Sequence, residues 1–392
     1  MQNELRIQTL QRMLKLIDTK ALQPGEEGQL EVAHYTDPQH LQAELKTLFR
    51  NYPIIIAHSS QLQEPGTFVA MDIGHVPVLA IRDRKGVLRA FINACRHRGS
   101  RLTAESTGKA KAFVCPYHGW TYQDSGNLKF VPQQEGFPSL EPSKCSLAQL
   151  PVAEAGGFIW VVPGGTEVDI TSWLAGVRED LDGFSLSDHV VYKQAQQPTR
   201  ANWKLIIDAF SEGYHLRTLH KDSVKPFFLE HGVVFDRLGP HSRSVGGRKE
   251  LLQAKELPTE QWDFRAWTTP FYNLFPNTIL VFHPDWISRI TVYPDGTDQS
   301  IAHHEMLVHK DQQKPDKYWD RTFALINNQV FAAEDLAVCE QIQVTARSGA
   351  DTHWPIGTME TPVLWFHQAC ELALTGASPE AIVALGTQDV IS

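Results

Sequence analysis

"CRHRGSRLTAESTGKAKAFVCPYHGW", residues 95–120, carries two copies of one small pattern. Cys95 and His97 are separated by one residue, Cys115 and His118 by two, and a glycine follows each pair. The surroundings read as β. "VPVLAIRD" and "VLRAFINAC" flank the turn "RKG", and "AFVCPYHGWTY" leads through "DSGN" into "LKFVP". "GGFIWVVPGG" closes the segment between glycine pairs. Short strands with glycine turns indicate a small sandwich or barrel, with the doubled pattern at two strand–loop junctions.

Two cysteines and two histidines suit a structural zinc ion, but zinc fingers usually pair Cys with Cys and His with His along the chain. Here each half supplies one of each. An iron–sulfur centre of the Rieske kind asks for that mixture, with two thiolates on one iron and two imidazoles on the other. The doubled spacing favours this centre, and hence electron transfer, over zinc.

The 392 residues are enough for two domains, and 42% hydrophobic with 21% charged content is that of a globular protein. A net charge of −9 argues against a general nucleic-acid surface. No apolar run approaches the roughly 20 residues that span a bilayer. "MQNELRIQTLQRMLKLIDTK" lacks a signal peptide's apolar core and reads as an amphipathic helix, with Leu10, Met13, Leu14 and Ile17 on one side. Five scattered cysteines form no disulfide framework, so a reducing cytoplasm is expected.

After residue 165 helices and strands mix without βαβ alternation, which indicates α+β. "NWKLIIDAFSEGYHLRTLH" (202–220) reads as a helix ending near its histidines, and 316–349 as one long helix stopped by Gly349. His215 and His220 are candidate imidazole ligands, and Asp208 and Glu212 are carboxylates on the same segment. Two histidines and one carboxylate form the facial triad that activates O2 at ferrous iron. Five positions on a regular helix are about 140° apart, so a break or tightened turn in "LRTL" must bring the two histidines together.

Taken together, "CRHRG", "CPYHGW" and "NWK…E-x-YH…H" resemble the large α subunit of the Rieske non-haem iron ring-hydroxylating oxygenases. The resemblance runs over most of the chain. It implies a small all-β Rieske domain and a helix-grip (START-like) catalytic domain with an antiparallel sheet. The expected layout is N-terminal helices packing on the catalytic domain (1–45), the Rieske domain (46–165) and the catalytic domain (166–392). It implies a [2Fe-2S] cluster held by Cys95, His97, Cys115 and His118, and a mononuclear Fe(II) held by His215 and His220. "AAEDLAVCEQIQ" resembles the family's acidic helix and makes Asp335 the third ligand, with Glu334 and Glu340 as rivals. In relatives an acid at position 212 links an iron-bound histidine of one subunit to a Rieske histidine of the next. That assigns Glu212 to bridge His215 and the neighbour's His118. Glu where many members have Asp resembles the α-only branch acting on quaternary ammonium compounds, and Asp208 stands where many relatives have Asn.

The expected activity is that of a terminal oxygenase. It uses O2 and electrons, supplied from NAD(P)H through a separate reductase or ferredoxin, to hydroxylate, dihydroxylate or demethylate an aromatic or quaternary ammonium substrate. A homotrimer is expected, with α3β3 as the alternative assembly. The rival function is a non-enzymatic Rieske electron carrier with a hydrophobic-ligand domain. Arg96, Arg98, Arg101, Lys109, Lys111 and Lys129 form an expected basic patch for the electron donor. Trp267, Tyr272, Phe282 and Trp286 fall where a substrate pocket is expected, and His303 and His304 read as structural.

Overall fold

The structure, a computed structural model, describes Met1 and residues 3–386, which divide into two compact units. One comprises residues 46–173, the other the described residues up to 45 together with 174–386.

The smaller unit is built from three antiparallel sheets. A five-stranded sheet has the order 149–150, 88–92, 76–82, 67–73 and 107–109. A three-stranded sheet joins 152–155, 158–161 and 54–58, and a second joins 112–114, 121–123 and 128–130. Its core includes Phe68, Leu79, Phe91, Phe113, Trp120 and Tyr122, all from strands or the loops between them.

The larger unit is organised by one seven-stranded antiparallel sheet. Its strands are β1 (His189–Thr199), β2 (Phe228–Leu238), β3 (His241–Arg248), β4 (Thr268–Leu274), β5 (Thr278–Phe282), β6 (Trp286–Gly296) and β7 (Gln299–His309). Their spatial order is β1-β7-β6-β5-β4-β3-β2. Helix α1 (Trp203–Ser211) packs against β4 to β7, so the sheet grips it. The N-terminal helix Asn3–Thr19 buries Leu10 and Met13 and packs against β2. The α+β class and the antiparallel sheet are as expected.

The tripeptide Asn202-Trp203-Lys204 explains why α1 sits where it does. Asn202 is the N-cap, its side chain accepting the N–H of Lys204 at 3.0 Å, while its own N–H donates to Gln343. Trp203 donates its indole N–H to Glu44 at 2.8 Å, and Lys204 donates to the other oxygen of that carboxylate. Both members of the Lys204–Glu44 pair are fully buried. A charge so placed is tolerable only with its partner.

The helix expected over 202–220 stops at Ser211. Glu212 is extended (φ −132°, ψ 170°) and Gly213 follows, so the chain leaves the helical path before His215. A single 3-10 turn, His215–Arg217, then supplies the tightening expected of "LRTL". The long helix runs as expected but is not uniform. An α-helical stretch Asp316–Ala324 passes into a π-helix, Leu325–Leu336, and returns to α over Ala337–Ala346. Gly349, at φ +70°, follows its end. π-helical turns are rare and frequently lie at functional sites.

Replacing Glu44 by leucine strands the Lys204 ammonium, and the expected cost is about 3–5 kcal/mol. A denaturant titration of Glu44→Leu beside the double variant Glu44→Leu/Lys204→Met checks this. The double variant should recover most of the loss.

Candidate metal centres

In the smaller unit the two motif loops have the same backbone design. Cys95 O accepts from Gly99 N at 2.8 Å and Cys115 O from Gly119 N at 3.0 Å. Cys95 N donates to Ser100 O and Cys115 N to Trp120 O, both at 2.8 Å. Both glycines have positive φ, +74° and +72°, which is what each turn needs from a residue without Cβ. The duplicated sequence is thus a duplicated loop.

The loops pair like with like. Nδ1 of His97 and Nδ1 of His118 lie 3.2 Å apart, and the thiols of Cys95 and Cys115 are hydrogen-bonding neighbours. A single zinc ion needs all four donor atoms within about 4 Å of one another. Among the described residues, no three of these four bring donor atoms within 4.8 Å. Two thiols on one side and two imidazoles on the other fit a dinuclear cluster instead. Tyr122 OH is 3.3 Å from Cys95 Sγ, and Ser100 and the backbone N–H groups of Tyr117 and His118 face Cys115. The ring of His97 stacks on Trp120, with centroids 4.9 Å apart.

The expected basic patch is smaller than the sequence suggests. Arg101 pairs with Asp72 at 2.7 Å, Lys109 with Glu64 at 2.8 Å, and Arg98 folds over the Tyr117 ring. Asp72 on a neighbouring strand and Glu64 in the bend before it neutralise part of it.

In the larger unit the helix break does its work. His215 and His220 face each other with ring centroids 5.0 Å apart and planes at 70°. Asp335, from the π-helix, places Oδ1 2.9 Å from Nε2 of His220 and 3.8 Å from Nε2 of His215. These three form one of the two clusters of metal-binding side chains among the described residues. Asp335 is 4% exposed, and its Oδ1 meets no donor in hydrogen-bonding geometry. A buried carboxylate oxygen facing two imidazole nitrogens is the donor set of a divalent cation.

The outer ring nitrogens are also held. Nδ1 of His215 bonds to Glu212, and Nδ1 of His220 is 2.5 Å from Glu334. Glu334 accepts from Ser223 as well, at 2.7 Å. Glu334, the rival to Asp335 for the third ligand position, here meets the outer nitrogen of His220. The two nitrogens of one imidazole diverge, so adjacent acids on the helix serve both sides of His220. Glu340 is elsewhere, bound to Arg200. Burial would lower the pKa of both imidazoles, but Glu212 and Asp335 around His215, and Asp335 and Glu334 around His220, hold both above the ordinary histidine value.

Asp208 accepts from Tyr35 at 2.6 Å and lies 3.0 Å from Nε2 of His367. It lines a cavity of about 360 Å³ together with Glu212, His215 and Asp335. A larger cavity, about 530 Å³, opens on the other wall of the triad and is lined by Phe210, Phe227, Phe228, Phe271, Phe331 and Trp286 among others. Of the four aromatics expected there, only Trp286 lines it. Tyr272 and Phe282 follow Phe271 and lining Val281 on their strands, so alternation turns them to the opposite face. Trp267 is buried in the short helix Phe264–Trp267. His304 is buried between Ser288 and Asn327, as a structural histidine should be.

Comparison with known proteins gives a family match in each unit. Residues 52–147 match the family described as Rieske [2Fe-2S] domain, and residues 182–376 that described as ring hydroxylating alpha subunit, catalytic domain. The chain is 31% identical over 332 residues to the glycine betaine monooxygenase oxygenase subunit of Chromohalobacter salexigens, covering 74% of each. It is 27% identical over 320 residues to the carnitine monooxygenase oxygenase subunit of Acinetobacter baumannii, covering 79% of this chain and 82% of that one. Its fold matches a solved quaternary ammonium Rieske monooxygenase with a TM-score of 0.77, at 22% identity, over 88% of this chain and 94% of that one.

Two outcomes are expected from variants at the outer ligand contacts. Glu334→Ala frees His220 to rotate and should weaken Fe(II) binding about 10–100-fold, with the cluster's visible spectrum unchanged. Tyr122→Phe removes a donor to a cluster thiolate, so its reduction potential, measured by redox titration, should fall.

Proposed function

The chain belongs to the Rieske ring-hydroxylating oxygenase α subunits, and from that premise we propose that it mono-oxygenates a quaternary ammonium compound in the 530 Å³ cavity. It is the terminal oxygenase of a system fed by a separate electron donor. An electron carrier that merely holds a hydrophobic ligand does not fit, because the relatives are oxygenases. The observation that carries the reading is the buried Asp335 Oδ1, which makes no well-aligned hydrogen bond, beside His215 and His220 on the wall of an aromatic cavity.

Cys95, His97, Cys115 and His118 would hold the cluster, and His215, His220 and Asp335 the ferrous ion. When bound, these groups supply stored electrons and O2 activation. The balance is one C–H bond and O2, with two electrons and two protons, giving one C–OH and water. The chain's own residues do the rest. Glu212 and Glu334 fix the tautomers and orientation of His215 and His220. The aromatic wall excludes water and offers ring faces to an onium group. Asp208, bonded to Tyr35 and His367, is a site where a proton can be held beside the triad. Burial and Asp208 push the Tyr35 pKa well up, so that hydroxyl stays a donor.

The assembly we propose is a homotrimer in which Glu212 of one subunit accepts from His118 of the next. The Glu212 carboxylate already engages His215 in its own subunit. A reductase or ferredoxin is the proposed donor and the cytoplasm the proposed compartment. Among the described residues all cysteines are free, and no helix is long and apolar enough to cross a membrane.

Anaerobically prepared protein should contain three irons per two acid-labile sulfides on this reading. Asp335→Ala should retain the two cluster irons, lose the third and make no product when O2 uptake and product are followed over a panel of quaternary ammonium and aromatic compounds. Turnover by that variant would remove Asp335 from the site.

A further inference from the structure

The large cavity has a polar corner that the metal centre does not use. Arg248 ends β3 and lines the cavity with its guanidinium carbon 5.4 Å from the Phe227 ring and 6.0 Å from that of Phe228. Among the described residues its only ionic neighbour is Glu250, 3.7 Å from Nε, and its terminal nitrogens donate no hydrogen bond. The other charges on this wall are spoken for. Asp285 holds Lys314, Glu212 holds His215, and Asp335 faces the two histidines.

Two neutral polar groups share the corner. Thr269 on β4 lies opposite Gly246 of β3, is 1% exposed, lines the cavity, and leaves its hydroxyl without a partner. His283 follows β5 and stacks on Trp286 with centroids 3.7 Å apart. Burial, then Arg265 and Arg248, hold its pKa well below the usual value, so it is a neutral donor. A guanidinium whose terminal N–H groups make no hydrogen bond among the described residues, a hydroxyl and a neutral imidazole around one space ask for an anion with several acceptor lone pairs. A carboxylate is the common organic group of that kind. The triad's side of the same cavity offers instead the rings of Phe210 and Phe331, with centroids 5.7 Å apart.

We propose that the substrate carries a carboxylate and that Arg248, assisted by Thr269 and His283, is the residue that recognises it. The inference rests on the reading of this cavity as the substrate site. Joined to the proposed quaternary ammonium chemistry, it selects a zwitterionic ammonium acid over an ammonium alcohol. A site built around unpaired donors should reject a congener that lacks the acceptor.

The test is calorimetric binding to the iron-loaded holoprotein, using acid and neutral members of three pairs. These are glycine betaine and its methyl ester, carnitine and carnitinamide, and benzoate and benzamide. In at least one pair the acid should bind about tenfold tighter or more. Arg248→Gln should erase that preference, Arg248→Lys should keep part of it, and Thr269→Val should reduce it. Iron content and the cluster's visible spectrum report whether each variant is folded. Acids that bind no better than their neutral congeners, or that do not bind at all, overturn the proposal, as does a preference that survives Arg248→Gln. A preference confined to benzoate and lost in Arg248→Gln upholds the role of Arg248 while removing the quaternary ammonium reading, so the two can fail separately.

Discussion

A buried carboxylate oxygen that makes no well-aligned hydrogen bond is costly, and Asp335 Oδ1 is in that position, 2.9 Å from one imidazole nitrogen and 3.8 Å from another. A divalent cation there converts the cost into a binding site, because the three side chains already face one point. Much of the larger unit can be read as what holds that arrangement in place. Asn202 caps α1, Glu44 ties down Trp203 and Lys204, and the helix is released at Glu212 so that His215 and His220 can turn toward each other. From the opposite side, the π-helix delivers Glu334 and Asp335 to the two nitrogens of His220.

The two centres share a rule of construction. The proposed ligands come from two tight loops, the segment around a 3-10 turn and a π-helical stretch, and the residues around them decide their direction. In the smaller unit the direction comes from paired turns closed by Gly99 and Gly119, with Trp120 under His97. In the larger unit it comes from carboxylates behind the imidazoles. A ligand whose rotamer is fixed before the metal arrives loses less freedom on binding.

How much of this was legible in the sequence follows from how local each feature is. The doubled Cys/His loops were readable because spacing within one loop is a local property. The need for a bend between His215 and His220 was also readable, from helix geometry alone, although the helix ends earlier than its apolar pattern suggested, at Ser211. What the sequence hid was parity and partnership. Strand alternation was known in principle, but nothing local told which of Phe271 and Tyr272 faced inward, and the aromatic choice fell on the wrong member. Glu334 looked like a competitor of Asp335 because helical wheel reasoning asks which residue points at the metal. It does not ask which points at the back of a ligand. Arg248 and Thr269 carried no motif and became visible only when strand register set them in one corner.

The central claim is a ferrous site of two histidines and one aspartate. Anomalous scattering at the iron edge from anaerobically grown crystals tests it most directly. The account predicts, besides the cluster, one iron peak per chain within bonding distance of His215 Nε2, His220 Nε2 and an oxygen of Asp335. A peak ligated by Glu334 in place of Asp335, or no iron beside these histidines in crystals whose cluster is intact, would contradict it.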